Sequence, residues 1–168
     1  MVTIRPATQA DLPQIIALDQ EIFGAYGADE SSAVIQARLE VFPAGCAVVQ
    51  ETEAAGSLYP LLGYLTTEKW SALREPTLDE DPKESHQAQG TVLNITTLAI
   101  NPAYQNRGLG GLLIRHVFDL ARREACLDIV LETAHAERFY LRHGFVRSGV
   151  RVQRGIPLYI MHCDLRNT

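Results

Sequence analysis

The run Gln105-Asn106-Arg107-Gly108-Leu109-Gly110 constrains this chain more than any other feature. It follows an alternating apolar segment, Thr91 to Ile100, and leads into an amphipathic segment that begins at Leu109. A strand therefore delivers a glycine-bearing loop to the start of a helix, where unpaired backbone N–H groups and the positive end of the helix dipole converge. That geometry binds phosphate. Spacing excludes two familiar phosphate loops. A triphosphate loop needs Lys-Ser/Thr after its second glycine, whereas Gly110 is followed by Gly111-Leu112. A dinucleotide fingerprint needs a third glycine where Leu113 stands.

A chain of 168 residues can bury a sizeable core, and no linker, repeat or composition break divides it, so one domain over residues 1–168 is expected. The N-terminus Met1-Val2-Thr3-Ile4-Arg5 has no apolar signal core, and no apolar run reaches membrane-spanning length. The reading is a soluble cytoplasmic protein with no membrane partner. Cys46, Cys126 and Cys163 lie far apart in apolar contexts, which predicts reduced, buried thiols. The five histidines form no ligand set, so no metal is expected. A net charge of -5 without a Lys/Arg cluster argues against nucleic acid.

Along the chain, Val2 to Arg5 alternates as a first strand, and Thr8 to Asp11 offers a helix start with an acidic residue three positions on. Leu12, Ile15, Ile16, Leu18, Ile22 and Phe23 give the next helix its apolar face. A second helix is predicted from Ser31 to Phe42, striped by Val34, Ile35, Leu39 and Phe42. Cys46 to Gln50 and Leu61 to Thr67 read as a hairpin around Gly56 and Pro60. Ser71 to Gly90 is polar and aperiodic, a long loop of the kind that is functional or disordered. After the glycine loop come a helix, a strand at Asp128 to Thr133, a short helix ending at Gly144, and strands near Phe145 to Val152 and Leu158 to Cys163.

The stretch Leu98 to Leu113 resembles the acetyl-CoA-binding motif of the GCN5-related N-acetyltransferase (GNAT) superfamily, whose loop reads Gln/Arg-x-x-Gly-x-Gly/Ala. Ala136 to Phe145 is similar to that family's second signature, a short helix carrying Tyr140 followed by Gly144-Phe145. The resemblance implies an α/β (α+β) fold, a mixed twisted sheet of six to seven strands with helices on both faces and central strands that splay apart to admit the cofactor. It implies acetyl-CoA as cofactor. Leu98, Ala99 and Ile100 would pair with its pantetheine arm, and Gln105, Asn106, Arg107, Gly108, Leu109, Gly110 and Gly111 would cradle its pyrophosphate. Thr133, Phe139, Tyr140 and Arg142 would complete the cofactor site.

Acetyl transfer to an amine needs an uncharged amine, a polarised carbonyl and an acid for the departing thiolate. By resemblance Tyr140 is the acid, a phenol with a pKa near ~10 that stays protonated at working pH. A backbone N–H near Leu98 or Ile100 would polarise the carbonyl. The chain looks most similar to the arylalkylamine N-acetyltransferases, which relay the amine proton through two histidines; the matching positions are Asn94 and Thr96, a departure that leaves the base open. Glu132 and Glu30 are the carboxylates nearest the expected cleft. Phe23, Tyr26, Glu30 and Trp70 are expected around the acceptor. The expected acceptor is a small primary amine, an arylalkylamine or polyamine. A protein N-terminus or lysine, or a non-catalytic acyl-CoA-binding module, remains open, as does a homodimer through the last strand.

Overall fold

The computed structural model describes residues 1–51, 60–77 and 79–166. Seven strands form one sheet in the order β1-β2-β3-β4-β5-β7-β6. In sequence these are β1 (Val2–Pro6), β2 (Ala47–Glu51), β3 (Gly63–Trp70), β4 (Val92–Ile100), β5 (Asp128–Thr133), β6 (Val146–Gln153) and β7 (Ile156–Asp164). The helices are α1 (Leu12–Phe23), α2 (Ser32–Val41), α3 (Pro82–Ser85), α4 (Leu109–Arg123) and α5 (Glu137–Arg142). Every strand pairing is antiparallel except β4 with β5. The mixed sheet with helices on both faces is thus as expected, with seven strands. The predicted hairpin is β2 with β3, and Gly56 lies outside the described residues. The polar 71–90 stretch is not structureless throughout, because Pro82 and the Asp81 carboxylate, which accepts from Lys83 N, start the single turn of α3.

Local chemistry explains the boundaries. Asp11 accepts from the backbone N–H of Thr8 at 2.8 Å and from both terminal nitrogens of Arg5, fixing the entry to α1. The Ser31 hydroxyl accepts from Val34 N and caps α2. On one face of the sheet α4 seats Leu113, Ile114, Val117 and Leu120 against Leu93, Ile129 and Met161. On the other, Ile15 and Leu18 of α1 and Ile35 and Leu39 of α2 pack over Val48 and Tyr64. All eight residues of β3 are buried, as befits an inner strand covered on both faces. Cys46, Cys126 and Cys163 are buried free thiols. Among the described residues no helix is long and apolar enough to cross a membrane.

Two departures from regular pairing make the site. The β4–β5 ladder ends at Asn94↔Val130, although β4 continues to Ile100 and β5 to Thr133. The outer edge of β5 stays paired with β7 as far as Thr133↔Tyr159, so β5 holds its line while β4 diverges from it. The β3–β4 register also slips: Thr66 faces Thr97 but Thr67 faces Ile95, which leaves Thr96 as the extra residue of a bulge.

Candidate active site

The split between β4 and β5 opens a cavity of about 920 Å³, the larger of the two described here. One wall is β4 from Asn94 to Ile100 and the other runs from Leu131 to Ala136, closed by Arg138, Phe139, Tyr140 and Arg142 on α5. Beyond Asn94 the edge of β4 turned toward β5 has no strand partner, so its backbone groups are available to an extended ligand. At one end the cavity meets Gln105, Asn106, Leu109 and Gly110. Asn106 and Gly108 take left-handed backbone conformations, with φ of 62° and 78°, and Gly108 caps α4. No side chain caps that end of α4, so the first-turn N–H groups and the helix dipole face the loop concavity. Gly110 also lets the helix approach α5, since a Cβ there would lie 3.1 Å from the Phe139 ring.

Tyr140 is 6% exposed and sits edge-on to Phe139 and Phe145, with centroids 5.0 and 5.5 Å away. Burial pushes its phenol well above the ordinary value, so it is a proton carrier at any working pH. On the opposite wall Asn94 is 2% exposed and its Oδ1 has no hydrogen-bond partner. The hydroxyls of Thr96 and Thr66 lie 2.6 Å apart and satisfy one another at the bulge. Glu132 lines the cavity but accepts from Nε and, at 2.8 Å, Nη2 of Arg151.

The far end of the cavity is enclosed by Glu21, Ile22, Phe23, Ala28 and Glu30 from the α1–α2 region, by Pro76, Thr77 and Glu80, and by Arg151, Gln153, Ile156 and Leu158 from the β6–β7 hairpin. Glu30 accepts from Arg38 Nη2 at 2.8 Å and from Asp79 N at 3.0 Å. Burial raises its carboxyl above the usual range against the opposing pull of Arg38. Asp19 behaves alike: burial raises it, while the Tyr64 hydroxyl donates to one oxygen at 2.6 Å and Glu30 N to the other at 2.8 Å.

The structure thus brings together Asn94, Thr96, Leu98, Ala99, Ile100, Gln105, Asn106, Leu109, Gly110, Glu132, Thr133, Phe139, Tyr140 and Arg142 with Phe23 and Glu30. Arg107, Gly108 and Gly111 shape the loop but do not line the cavity, and Arg107 lies over the Tyr104 ring at 5.2 Å. Tyr26 lies in the turn after α1; its side chain is outside the described residues. Trp70 is a correction. It is 1% exposed, packs with Val92 and Val130, donates from its indole to Glu68 Oε1 at 2.7 Å, and is not among the residues that line this cavity. Among the cavity residues that sequence reasoning missed are Arg38, Glu68, His135 and Arg151. For Arg38 the signal was present: it falls three and four positions after Ile35 and Val34, on the apolar stripe of α2.

A family model described as an acetyltransferase (GNAT) domain matches residues 78–147. The uncharacterized N-acetyltransferase YkwB of Bacillus subtilis is 23% identical over 124 residues, 71% of this chain and 54% of that protein, so the chain spans about half of this relative's length. The loading GNATL domain of CurA from Lyngbya majuscula has a similar structure, with a TM-score of 0.84 at 15% identity and full coverage of both chains. The GphF GNAT-like decarboxylase in complex with isobutyryl-CoA gives a TM-score of 0.77 at 20% identity, covering 98% of this chain and all of the other. The structural likeness shows the GNAT fold, and the acetyltransferase (GNAT) domain model matches less than half of the chain.

Proposed function

We propose that this chain is an acetyl-CoA-dependent N-acetyltransferase acting on a small primary amine. One observation carries the reading: a single cavity joins the uncapped start of α4, the unpaired edge of β4 and the buried phenol of Tyr140. The Gln105–Gly111 loop would take the pyrophosphate of coenzyme A on its backbone N–H groups, and β4 from Leu98 to Ile100 would pair with the pantetheine arm. The isobutyryl-CoA bound by the GphF decarboxylase supports a CoA thioester as the donor.

The acceptor amine would enter from the end enclosed by α1, Pro76–Thr77 and the β6–β7 hairpin and attack the thioester carbon directly. Asn94 Oδ1, an acceptor without a donor, would orient the amine N–H. Glu132 would receive its proton through water, on the lone pairs that Arg151 leaves uncovered. A backbone N–H of β4 near Leu98 or Ile100 would polarise the thioester carbonyl, and Tyr140 would give its proton to the departing thiolate. Enclosure on three sides favours a small acceptor over a protein lysine or N-terminus, which needs an open groove.

The test is release of free thiol from acetyl-CoA by the purified protein against arylalkylamines, polyamines, amino acids and short peptides. Turnover on small amines supports the reading. Turnover on peptides alone, or carbon dioxide release from a carboxylated acyl-CoA without transfer to any amine, overturns it.

A further inference from the structure

Arg38 is 5% exposed, lines the cavity, and is incompletely paired. A guanidinium carries five N–H groups. Nη2 donates to Glu30 Oε1, while Nε and Nη1 have no partner and are closed off from water. Neighbouring acceptors in the chain are already engaged. Both oxygens of Asp19 accept from Tyr64 and from Glu30 N, and the second oxygen of Glu30 accepts from Asp79 N. The same cavity holds a buried unpaired acceptor, Asn94 Oδ1, at the point where β4 leaves β5.

We infer that Arg38 is the anchor for a carboxylate of the acceptor, so that the acceptor class is a free amino acid whose amine is presented toward Asn94 and whose carboxylate meets the guanidinium. The inference rests on the proposed acetyl transfer for its chemistry, but not for its geometry. Arg38 is on α2, beside Glu30 and opposite the glycine loop, which puts the carboxylate at the acceptor end rather than on the cofactor. Among the described residues that line that end, the cationic side chains are Arg38 and Arg151, and Nε and Nη2 of Arg151 are held by Glu132. A charge-assisted bond to a buried guanidinium is worth more than a neutral one, so removing the carboxylate from the ligand should weaken binding strongly. Because the unpaired Arg38 nitrogens and Asn94 Oδ1 are all sealed, entry of the ligand requires both side chains to shift toward the cavity.

The experiment is calorimetry on the CoA-loaded protein with matched ligands: L-alanine and ethylamine, L-phenylalanine and phenethylamine, L-lysine and cadaverine, and the methyl ester of each amino acid. At least one amino acid should bind ~10-fold or more tightly than both its amine and its ester. Arg38→Gln should erase that preference and leave CoA affinity unchanged. Amines or esters that bind as well as the amino acids, or no amino-acid binding at millimolar concentration, overturn the inference. So does an Arg38-dependent preference for succinyl-CoA over acetyl-CoA, which would move the carboxylate to the acyl group. Should Arg38→Gln fail to fold, the acid-against-ester comparison on the unaltered protein decides alone. Failure of thiol release on every amine would overturn the proposed function and leave this comparison standing.

Discussion

Arg154, at the tip of the β6–β7 hairpin, donates from Nη1 to the carbonyl oxygen of Gly27, 2.8 Å away and 127 residues earlier in the chain. The contact ties the hairpin to the turn that follows α1, and both segments border the acceptor end of the cavity. Gly27 is held at φ 63°, a left-handed conformation that favours glycine, and a Cβ there would crowd the Arg154 guanidinium.

Arg154→Ala should therefore loosen the roof without harming the core. The bond is exposed, so the expected loss of stability is below about 1 kcal/mol. The expected kinetic change is a higher KM for small acceptors with kcat little altered, together with new turnover on short peptides. Steady-state kinetics on one small acceptor and one peptide checks this. An unchanged KM for both would remove the strap from substrate selection.

Tyr140→Phe should lower kcat by about 10²–10⁴ at neutral pH while CoA affinity, measured by calorimetry, stays as it was. Burial holds the phenol above its ordinary ~10, so no alkaline fall in rate from this group is expected below that value. The linked stability has a definite sign. A group whose pKa is raised on folding contributes fully below its unfolded pKa, and that contribution is lost as pH rises through the folded value. The unaltered protein should thus lose stability above about pH 10 in excess of the Phe variant. Turnover equal to that of the unaltered protein would exclude Tyr140 as the acid.

The glycine loop and Tyr140 were legible because each sits in a contiguous signature whose geometry is local: Asn106 and Gly108 supply positive φ within one loop, and Tyr140 rides one short helix. The strands were legible from alternation, and β5 falls where the apolar run places it. Trp70 misled because an aromatic beside a polar loop looks like a slot wall. Its burial depends on Glu68, two residues earlier, whose other oxygen is taken by Ser85 from across the loop. Arg151 was invisible for a similar reason, since its pairing with Glu132 spans 19 residues and is set by the way β6 and β5 flank β7.

Asp128 opens β5 at the end away from the cavity and accepts from Arg166 through both terminal nitrogens, with His162 Nε2 2.7 Å from Oδ1. Burial works to raise its carboxyl, and the bonds from Arg166 and His162 outweigh it, so the group sits below the usual carboxylate range. Its contribution is therefore present above about pH 4 and lost as pH falls through the depressed value. Asp128→Asn should cost about 1–2 kcal/mol at pH 7, since Arg166 is half exposed and regains water. The difference from the unaltered protein should vanish in acid, and transfer activity should be unchanged. Urea denaturation at pH 7 and pH 3 checks it; a gap as large at pH 3 as at pH 7 would exclude the ionised Asp128 as its source.

Trp70 is the only tryptophan in the chain, and its indole N–H satisfies one oxygen of a glutamate that is itself 4% exposed. Trp70→Phe keeps an aromatic ring in the small core of Val92 and Val130 but removes that donor. A carboxylate oxygen left without its partner in a buried setting costs about 1–3 kcal/mol, and the smaller ring adds a cavity term of similar sign. Ser85 and the nearby Arg74 remain to hold Glu68, which keeps the loss short of unfolding. The variant should melt about 2–12 °C below the unaltered protein by circular dichroism, on the scale of roughly 2–4 °C per kcal/mol for a domain of this size. KM for the acceptor should not change, because the indole is not part of the cavity lining. A large rise in KM with an unchanged melting temperature would return Trp70 to the acceptor site.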